Sequence, residues 1–358
     1  MTGMKIALIR REYITHIDGV NRFIAWLGEA FRKLGHDVVV ISWGFYNVDR
    51  DELSKWIKDI HALDEEIEVM TLMDKPTHGD PWSRITFDWL IKGAKLLKKE
   101  EVDIAIVNGV IPLSSRPKIA IAHGPISISK IQHMVIKALY ATYDMVICVS
   151  SKSRQEYASI VNCEAIIPLP MKLSLYNPLD YRQRSNTIVH IGTRSVKNPE
   201  ISIKTIDILR RKGYDVNLAV IGPYSKQVEE LAKGDNSIEL HFNAEEREKM
   251  RILCGAKALI LPSSNETFSF TAMEAMACGT PVVVSDAVPE EVVIDGYNGV
   301  RVRSLNPKDY AAVLERLLVD KELWIRLSTN GIEFVKQFDY INIAKRYIEI
   351  SERLIKEG

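Results

Sequence analysis

The stretch ALILPSSNETFSFTAMEAMACGTPVVVSD, residues 258–286, places a polar loop and a helix-like segment between two apolar runs. The first run predicts a strand, and a helix is expected over roughly 270–278 after the loop. Gly279 is typical of the residue that follows a helix C-terminus, and Pro281 cannot continue a helix. The second apolar run, 280–286, predicts another strand. A strand–loop–helix–strand unit of this kind is the repeat from which parallel sheets are built.

The same alternation extends along the chain in both directions. Uninterrupted Ile/Val-rich runs are typical of parallel strands that are buried on both faces. Such runs lie at 5–9, 37–42, 103–107, 118–123, 145–150, 187–192, 216–222, 257–262 and 280–286, with helical patterns at 21–36, 84–100, 128–142 and 199–212. The sequence therefore predicts an α/β fold of two doubly wound, Rossmann-like domains that face each other across a cleft.

A segment with three prolines and no clear period, 167–185, interrupts this pattern. We predict an N-terminal Rossmann-like domain over 1–168, a linker over 169–186 and a C-terminal Rossmann-like domain over 187–338. The remaining helix, 339–358, is expected to pack back on the N-terminal domain.

Composition excludes several classes of protein. The 358 residues are 46% hydrophobic and 26% charged, which is ordinary for a soluble globular protein. Lys+Arg and Asp+Glu both number 47, so no global field attracts nucleic acid, and an anion site must be local. The N-terminus lacks a signal-peptide pattern, and no stretch approaches 18 apolar residues. The four cysteines (Cys148, Cys163, Cys254 and Cys278) form no C-x-x-C pair, so we expect reduced, buried thiols in a cytoplasmic protein.

Two acids flank the predicted helix N-terminus in the opening stretch. Glu266 lies on the loop and Glu274 about one turn inside the helix, while the backbone N–H groups of Phe268, Ser269, Phe270 and Thr271 lie at or near the helix N-terminus. That terminus favours a phosphate, and a carboxylate can accept both hydroxyls of a vicinal diol. Glu274 on a ribose, the helix on a diphosphate and Glu266 on a sugar together predict a nucleoside-diphosphate-sugar site.

Structural roles explain the same acids about equally well when each is considered alone. Thr271 and Glu274 have the spacing of a capping box, in which Glu274 accepts a hydrogen bond from the N-cap amide. Glu266 alone could be a solvated loop acid.

The segment 262–286 resembles the signature of the family-4 retaining glycosyltransferases, which have the GT-B fold. In that family a Glu, seven residues and a second Glu are followed by a Gly-x-Pro tail, as in Glu266, Glu274, Gly279 and Pro281. Further segments resemble the family and occur in the same order as in its members. They lie at 18–42, 122–124, 147–157, 190–198, 219–223 and 288–302, so that the resemblance extends through nearly the whole chain. Thr267 and Ser269 depart from the pattern, because glycines are frequent at those positions.

The resemblance implies roles for the residues of the motif. Glu274 would bind the ribose hydroxyls and Glu266 the donor hexose, while the backbone of Phe268, Ser269 and Phe270 would contact the diphosphate. The donor would then bind mostly to the C-terminal domain and the acceptor mostly to the N-terminal domain.

Arg194 and Lys197 directly follow the strand predicted at 187–192, so we expect both to project toward the cleft. A departing nucleoside diphosphate needs fixed positive charge or a metal, and Arg and Lys suit a diphosphate. The resemblance implies the same role, although the family spaces the two residues wider than three. Taken alone, both could be solvated loop residues.

Three further features are predicted to lie around the site. His123 ends a strand before Gly124, where the family has a histidine close to the sugar; we expect it to orient the sugar or the acceptor, although a lone histidine is more often structural. Gly19 precedes the first helix, and its small size favours close approach of a phosphate or acceptor. Pro223 and the segment 241–246, which includes Asn243, are predicted to line the nucleobase region.

Other signals are weaker. Asp49 and Asp51 resemble a metal clamp, but the start of a helix explains them better because no second acidic cluster accompanies them. His61, His78, His133 and His241 lack ligand spacing, so no metal or other cofactor is predicted. The basic amphipathic segment 89–99 is expected to pack on a sheet, with weak contact to an anionic membrane as the alternative.

The sequence thus predicts a cytoplasmic, retaining hexosyltransferase that acts without metal on a nucleoside-diphosphate sugar, with an acceptor that is a glycan, a lipid-linked sugar or a small molecule. The inner face of the membrane is a second predicted location. A nucleotide-sugar epimerase or hydrolase of the same fold is the first alternative, and a bilobal solute-binding protein is the second. Donor base, hexose and oligomeric state are not encoded in any motif.

Overall fold

The structure is a computed structural model that describes residues 3–75, 79–123 and 130–357. The chain divides into two compact units, Met1–Lys172 with Phe338–Gly358, and Leu173–Gln337. Each unit is built on its own parallel sheet. Gly124 and Pro125, which follow His123 in the sequence motif, lie outside the described residues.

Among the described residues, the sheet of the first unit has seven strands. They are β1 (Lys5–Tyr13), β2 (Asp37–Gly44), β3 (Glu68–Thr71), β4 (Ile104–Asn108), β5 (Lys118–Ala122), β6 (Met145–Cys148) and β7 (Ala165–Ile166). The helices are α1 (Gly19–Lys33), α2 (Leu53–His61), α3 (Trp82–Asp88), α4 (Ala94–Lys99), α5 (Lys130–Tyr140) and α6 (Ser151–Tyr157), with a π-helical segment, Trp89–Gly93, between α3 and α4. The strand order β3-β2-β1-β4-β5-β6-β7 reverses direction between β1 and β4.

The second unit repeats this arrangement with six strands. They are β8 (Thr187–Ile191), β9 (Asn217–Gly222), β10 (Ile238–Phe242), β11 (Ala258–Leu261), β12 (Val282–Ser285) and β13 (Val300–Val302). The helices are α7 (Pro199–Arg211), α8 (Lys226–Ala232), α9 (Glu246–Gly255), α10 (Phe270–Ala277), α11 (Pro307–Val319) and α12 (Lys321–Val335). The order β10-β9-β8-β11-β12-β13 reverses between β8 and β11, and ligands of doubly wound folds bind at such a point.

The predicted α/β class with two doubly wound units is therefore confirmed. Each of the nine predicted strands coincides with an observed strand. The four strands that the pattern missed are β3, β7, β10 and β13, and each of them is an edge strand of its sheet. Edge strands are less buried, so their sequences lack the continuous apolar run that the prediction used.

Packing in the second unit fixes the positions of the strand ends. Val220 of β9 and Ile260 of β11 are fully buried, and Ile206 of α7 and Leu314 of α11 belong to the same apolar cluster. Burying one such side chain stabilises the fold by about 1.5–3 kcal/mol. The sheet and these two helices form a rigid layer that holds the loops beyond the strands.

The last helix, α13 (Tyr340–Glu357), belongs to the first unit and packs on α1. Lys33 donates to the hydroxyl of Tyr340 at 2.8 Å, and the rings of Phe23 and Tyr347 meet edge to face at 6.1 Å. The guanidinium of Arg346 donates to the carbonyl of Ile166 at 2.7 Å. These contacts tie the C-terminal helix to α1 and to β7, an edge strand of the first sheet.

The segment predicted as a linker contributes a buried side chain to the second unit. The guanidinium of Arg184 donates to the carbonyls of Leu179, Ala256 and Cys278 and to the hydroxyl of Thr280, at 2.7–2.9 Å. Burial lowers the pKa of Arg184 to about 10. Arg184 thereby joins the chain before β8 to the C-terminal ends of α9 and α10.

The cysteine prediction was wrong. Cys148 and Cys163 form one disulfide, and Cys254 and Cys278 form another, with Cα atoms 5.7 Å and 4.7 Å apart. The sequence pattern could not indicate these pairs, because 15 and 24 residues separate the partners and only the packing of α9 against α10 and of β6 beside the chain before β7 brings them together.

Candidate functional site

The loop after β11 positions Glu266 inside the second unit. Its side chain is 9% exposed, and Oε1 lies 2.5 Å from the ammonium of Lys197 and accepts a hydrogen bond from the hydroxyl of Ser263 at 2.8 Å. Glu266 is therefore not the solvated loop acid that the sequence also allowed. The pair lies where the loops after β8 and β11 meet, which is the switch point of the second sheet.

The loop after β8 makes room for the side chain of Lys197 at Gly192. Gly192 has a φ of +114°, and a Cβ atom at that position would lie 2.6 Å from Cγ of Lys197. A glycine is needed both for that backbone conformation and to let the aliphatic part of Lys197 pass. Arg194, in contrast, is exposed at the beginning of a 3₁₀ turn, Ser195–Lys197, and does not share the Lys197–Glu266 pair.

The N-terminus of α10 follows Glu266 directly. Ser269 is its N-cap residue and accepts from the backbone N–H of Ala272 at 3.4 Å. The φ of Ser269 is +91°, a region that favours glycine, so this departure from the family pattern strains the backbone. Phe268 is buried, and Phe270 and Thr271 form the first turn of the helix.

Glu274 lies in the middle of α10 and is 1% exposed. Lys249 of α9 donates to both of its carboxylate oxygens, at 3.1 Å and 3.0 Å, and also contacts Oε1 of Glu246 at 2.6 Å. The capping-box interpretation with Thr271 as N-cap is wrong, because the helix is capped by Ser269. Lys249 was missed because 25 residues separate it from Glu274 and no local pattern connects them.

The predicted nucleobase residues lie together beyond β9 and β10. Asn243 has a φ of +54°, its N–H donates to the carbonyl of Gly222 at 2.8 Å, and its side-chain oxygen accepts from the N–H of Tyr224 at 3.4 Å. Pro223 accepts from the hydroxyl of Thr193 at 2.7 Å. Both Pro223 and Asn243 are exposed, so they form an accessible surface beside the loop of Lys197.

In the first unit, His123 directly follows β5. Its Nε2 lies 2.7 Å from Oδ1 of Asn108, whose amide nitrogen donates to the carbonyl of Ile9 at 3.2 Å. That second bond orients the oxygen of Asn108 toward His123, so Nε2 of the imidazole carries the proton. Burial lowers the pKa of His123 to about 3, with a further contribution from Arg10. His123 is therefore a neutral imidazole at neutral pH, and Asn108 is a partner that the sequence did not indicate.

Gly19 begins α1 and is exposed. The N-cap residue Asp18 accepts from the N–H of Asn21 at 2.9 Å and binds Arg10 at 2.8 Å. Buried Asn21 in turn donates to the carbonyls of Tyr13, Ile14 and His16, which fixes the loop after β1. Gly19 and His123 thus lie beyond β1 and β5 of the first sheet, whereas the acidic pair and the lysines belong to the second unit.

Comparison with known proteins decides the family. The model of "Glycosyltransferase Family 4" matches residues 17–170, and that of "Glycosyl transferases group 1" matches residues 178–334. The chain belongs to the family-4 glycosyltransferases. Both units of the enzyme are matched, and its two parallel-sheet units are those of the GT-B fold. The resemblance carried by Glu266, Glu274 and the Gly-Thr-Pro tail is thereby confirmed.

Relatives extend this family assignment along the whole glycosyltransferase. The MMP alpha-(1->4)-mannosyltransferase of Mycolicibacterium hassiacum is 26% identical over 98% of both chains. An uncharacterized glycosyltransferase of Methanocaldococcus jannaschii is 31% identical over 60% of this chain and 62% of its own. Transfer of a sugar is therefore the activity of the enzyme.

Solved structures share the fold of the glycosyltransferase. Sucrose-phosphate synthase from Thermosynechococcus elongatus superposes with a TM-score of 0.79 at 19% identity, covering 99% of this chain and 100% of its own. Anabaena HepE in complex with UDP and glucose superposes with a TM-score of 0.76 at 16% identity, covering 98% and 100%.

The described residues of the enzyme contain neither a metal-binding cluster nor a helix that could span a membrane. No group of three or more His, Cys, Asp or Glu residues in that part of the chain is arranged to hold a metal ion. Within the same residues, every helix is too short or too polar to cross a membrane.

Proposed function

We propose that the enzyme transfers a hexose from a nucleoside-diphosphate sugar to a hydroxyl acceptor with retention of the anomeric configuration, and that it needs no metal. One observation carries the proposal: Glu266 and Glu274 lie on either side of the N-terminus of α10, and each carboxylate is held by its own lysine. Relatives support it, since one is named a GDP-mannose-dependent mannosyltransferase and HepE was solved with UDP and glucose.

The donor would bind to the second unit. Glu274 accepts the ribose hydroxyls, the N–H groups around Ser269 and Phe270 contact the diphosphate, and Pro223 and Asn243 lie beside the nucleobase. Glu266 accepts hydroxyls of the hexose. The acceptor would bind to the first unit, where the neutral imidazole of His123 orients it and Gly19 leaves room at the N-terminus of α1.

Donor binding exchanges the partners of Lys197. Before binding, the ammonium of Lys197 neutralises Glu266. A diphosphate attracts that ammonium, and Glu266 then accepts sugar hydroxyls in its place. Exposed Arg194 supplies a second cation. The negative charge that develops on the departing diphosphate is therefore stabilised by fixed cations.

The proposed chemistry requires no protein base. The bond from the anomeric carbon to the diphosphate oxygen breaks, and the acceptor oxygen bonds to that carbon on the same face. The acceptor proton moves to an oxygen of the departing diphosphate. His123 is not proposed as the proton acceptor, since its role is to orient the acceptor hydroxyl.

We propose a cytoplasmic enzyme whose acceptor is a glycan or a lipid-linked sugar. The segment 89–99 supports weak contact with an anionic membrane: it buries Trp89 and Leu97 and exposes Leu90, Ile91 and four lysines. The lysines are Lys92, Lys95, Lys98 and Lys99. One relative is named for an undecaprenol-linked substrate and another for a phosphatidylinositol dimannoside. Sedimentation with phosphatidylglycerol vesicles, compared with phosphatidylcholine vesicles, tests this contact.

A thermal-shift panel of UDP, GDP, ADP and their sugars tests the donor class. The cognate nucleotide is expected to raise Tm by several degrees at millimolar concentration, with and without EDTA, because a ligand that binds only the folded state stabilises it. No shift with any nucleotide contradicts the proposal. Rapid turnover of the donor without acceptor would favour the epimerase or hydrolase alternative.

A further inference from the structure

The ion pair between Lys249 and Glu274 is a feature that the motif itself does not contain. Lys249 belongs to α9, its side chain is 11% exposed, and its ammonium contacts both oxygens of Glu274. Glu246, one turn earlier on α9, contacts the same ammonium at 2.6 Å. We propose that Lys249 is a positioning residue of the donor site, which supplies the counter-charge of the Glu274 carboxylate and orients it for the ribose; this inference rests on the proposed function.

Burial makes a counter-charge at Glu274 necessary. An ionised carboxylate that is 1% exposed is costly to keep in the interior unless a cation compensates it. The proposed site also receives a diphosphate, whose charge repels an uncompensated carboxylate. Lys249 supplies the missing positive charge from the side of α9, so that an acid can lie close to the donor.

Geometry allows Lys249 and a diol to use the same carboxylate. A carboxylate has about four lone-pair positions. The ammonium of Lys249 donates a hydrogen bond to each oxygen, at 3.1 Å and 3.0 Å, and leaves the other positions for a ligand. This two-point contact fixes the plane of the carboxylate as well as its charge. Vicinal hydroxyls are recognised only if that plane is fixed, because both must be accepted at once.

The pair is held in place by its surroundings. The disulfide Cys254–Cys278 joins α9 to α10 about one turn beyond Lys249 and Glu274. Glu246 restrains the same ammonium through a contact of 2.6 Å. Lys249 therefore has little freedom to choose another partner, as expected of a residue that orients a ligand-binding group.

A nucleotide lacking one ribose hydroxyl tests the inference. The wild-type enzyme is expected to bind the cognate nucleoside diphosphate about 10- to 100-fold more tightly than its 2′-deoxy or 3′-deoxy form, the range for a hydrogen bond to a charged group. In K249M, as in E274Q, that ratio is expected to fall to about twofold or less. Donor KM should rise by about 10-fold or more while kcat stays within about twofold, and K249R should restore most of the ratio.

Two controls separate positioning from a general effect on folding. R251M changes an exposed cation on the same helix and is expected to leave the ratio unchanged. In urea denaturation without nucleotide, K249M and E274Q are expected to be strongly non-additive, since each removes the same pair. A variant K249Q replaces K249M if the latter does not fold.

The outcomes distinguish this inference from the proposed function. A wild-type enzyme that binds a nucleotide and discriminates the deoxy form, with an unchanged ratio in K249M, overturns the positioning role alone. A wild-type enzyme that binds no nucleotide overturns the donor site itself, and the role of Lys249 with it.

Discussion

The ammonium of Lys197 lies 2.5 Å from Oε1 of Glu266, so that two residues assigned to different parts of the donor compensate each other's charge before it binds. Lys197 is assigned to the diphosphate and Glu266 to the hexose. Their pairing holds both side chains at the same point, where the loops after β8 and β11 meet. Replacing either residue by an uncharged one would therefore leave the charge of the other without its counter-ion.

We expect K197M to lower kcat/KM by about 10²- to 10³-fold, because the departing diphosphate loses a fixed cation. E266Q is expected to lower kcat by a similar factor, since Lys197 loses its carboxylate partner and the hexose loses an acceptor. Steady-state kinetics with the cognate donor measures both. The matched control K204M removes an exposed lysine of α7 and should be neutral; activity within threefold of wild type in K197M would contradict the assignment.

Ser269 offers a test of strain at the diphosphate site. S269G removes a side chain from a residue at φ +91° and is expected to stabilise the protein by about 1 kcal/mol, since glycine adopts that conformation without penalty. S269A keeps the strain and loses the hydrogen bond to Ala272, so it should destabilise by about 1 kcal/mol. Urea denaturation separates the two, and equal effects from both variants would show that the backbone there is not strained.

Histidine burial predicts acid sensitivity of the second unit. Burial, together with repulsion from Lys197, lowers the pKa of His190 to about 4 in the folded chain, although its hydrogen bond to Gly192 opposes the shift. The unfolded chain binds a proton below about pH 6.5 and the folded chain does not, so stability is complete above pH 6.5 and is lost as the pH falls toward 4. His190 alone should account for about 2 kcal/mol of that loss at pH 5.

The check is urea denaturation at pH 7.5 and pH 5 of the wild type and H190Q. The decrease in the free energy of unfolding between these pH values should be about 2 kcal/mol smaller in H190Q, whatever its stability at pH 7.5. Equal decreases in the two proteins would mean that His190 takes up its proton in the folded state near its ordinary pKa.

Removing the disulfide Cys254–Cys278 should affect both stability and donor binding. Closing a loop of 24 residues is worth about 3 kcal/mol by the chain-entropy account. C254S/C278S should also weaken donor binding, because α9 and α10 carry Lys249 and Glu274. The matched variant C148S/C163S lies in the first unit and should lower Tm without changing donor affinity; equal affinity losses in the two would contradict this localisation.

Local sequence was sufficient for much of the fold. Buried runs such as 187–192 predicted the central strands, and Gly279, at φ +66°, ends α10 as expected. The edge strands escaped because half-exposed runs such as Ile238–Phe242 alternate polar and apolar residues. The central strands could therefore be predicted from the sequence because they are buried on both faces.

Residues that contact a site residue from a distant part of the chain could not be predicted in this way. Glu266 and Glu274 were identified from the sequence, but Lys249 and Asn108 were not, because each meets its partner only through the packing of separate elements. The two disulfides were not predicted for the same reason. Arg194 illustrates the reverse case, since its position after β8 was predicted but its side chain stands apart from the pair that Lys197 makes.

Calorimetric titration of the cognate nucleotide sugar into the wild type and E274Q measures directly whether Glu274 binds the donor. We expect saturable one-to-one binding to the wild type, and an affinity at least about tenfold lower for E274Q, because the ribose loses its charged acceptor. Equal affinities of the two proteins for the nucleotide sugar would contradict the assignment of the donor to the N-terminus of α10.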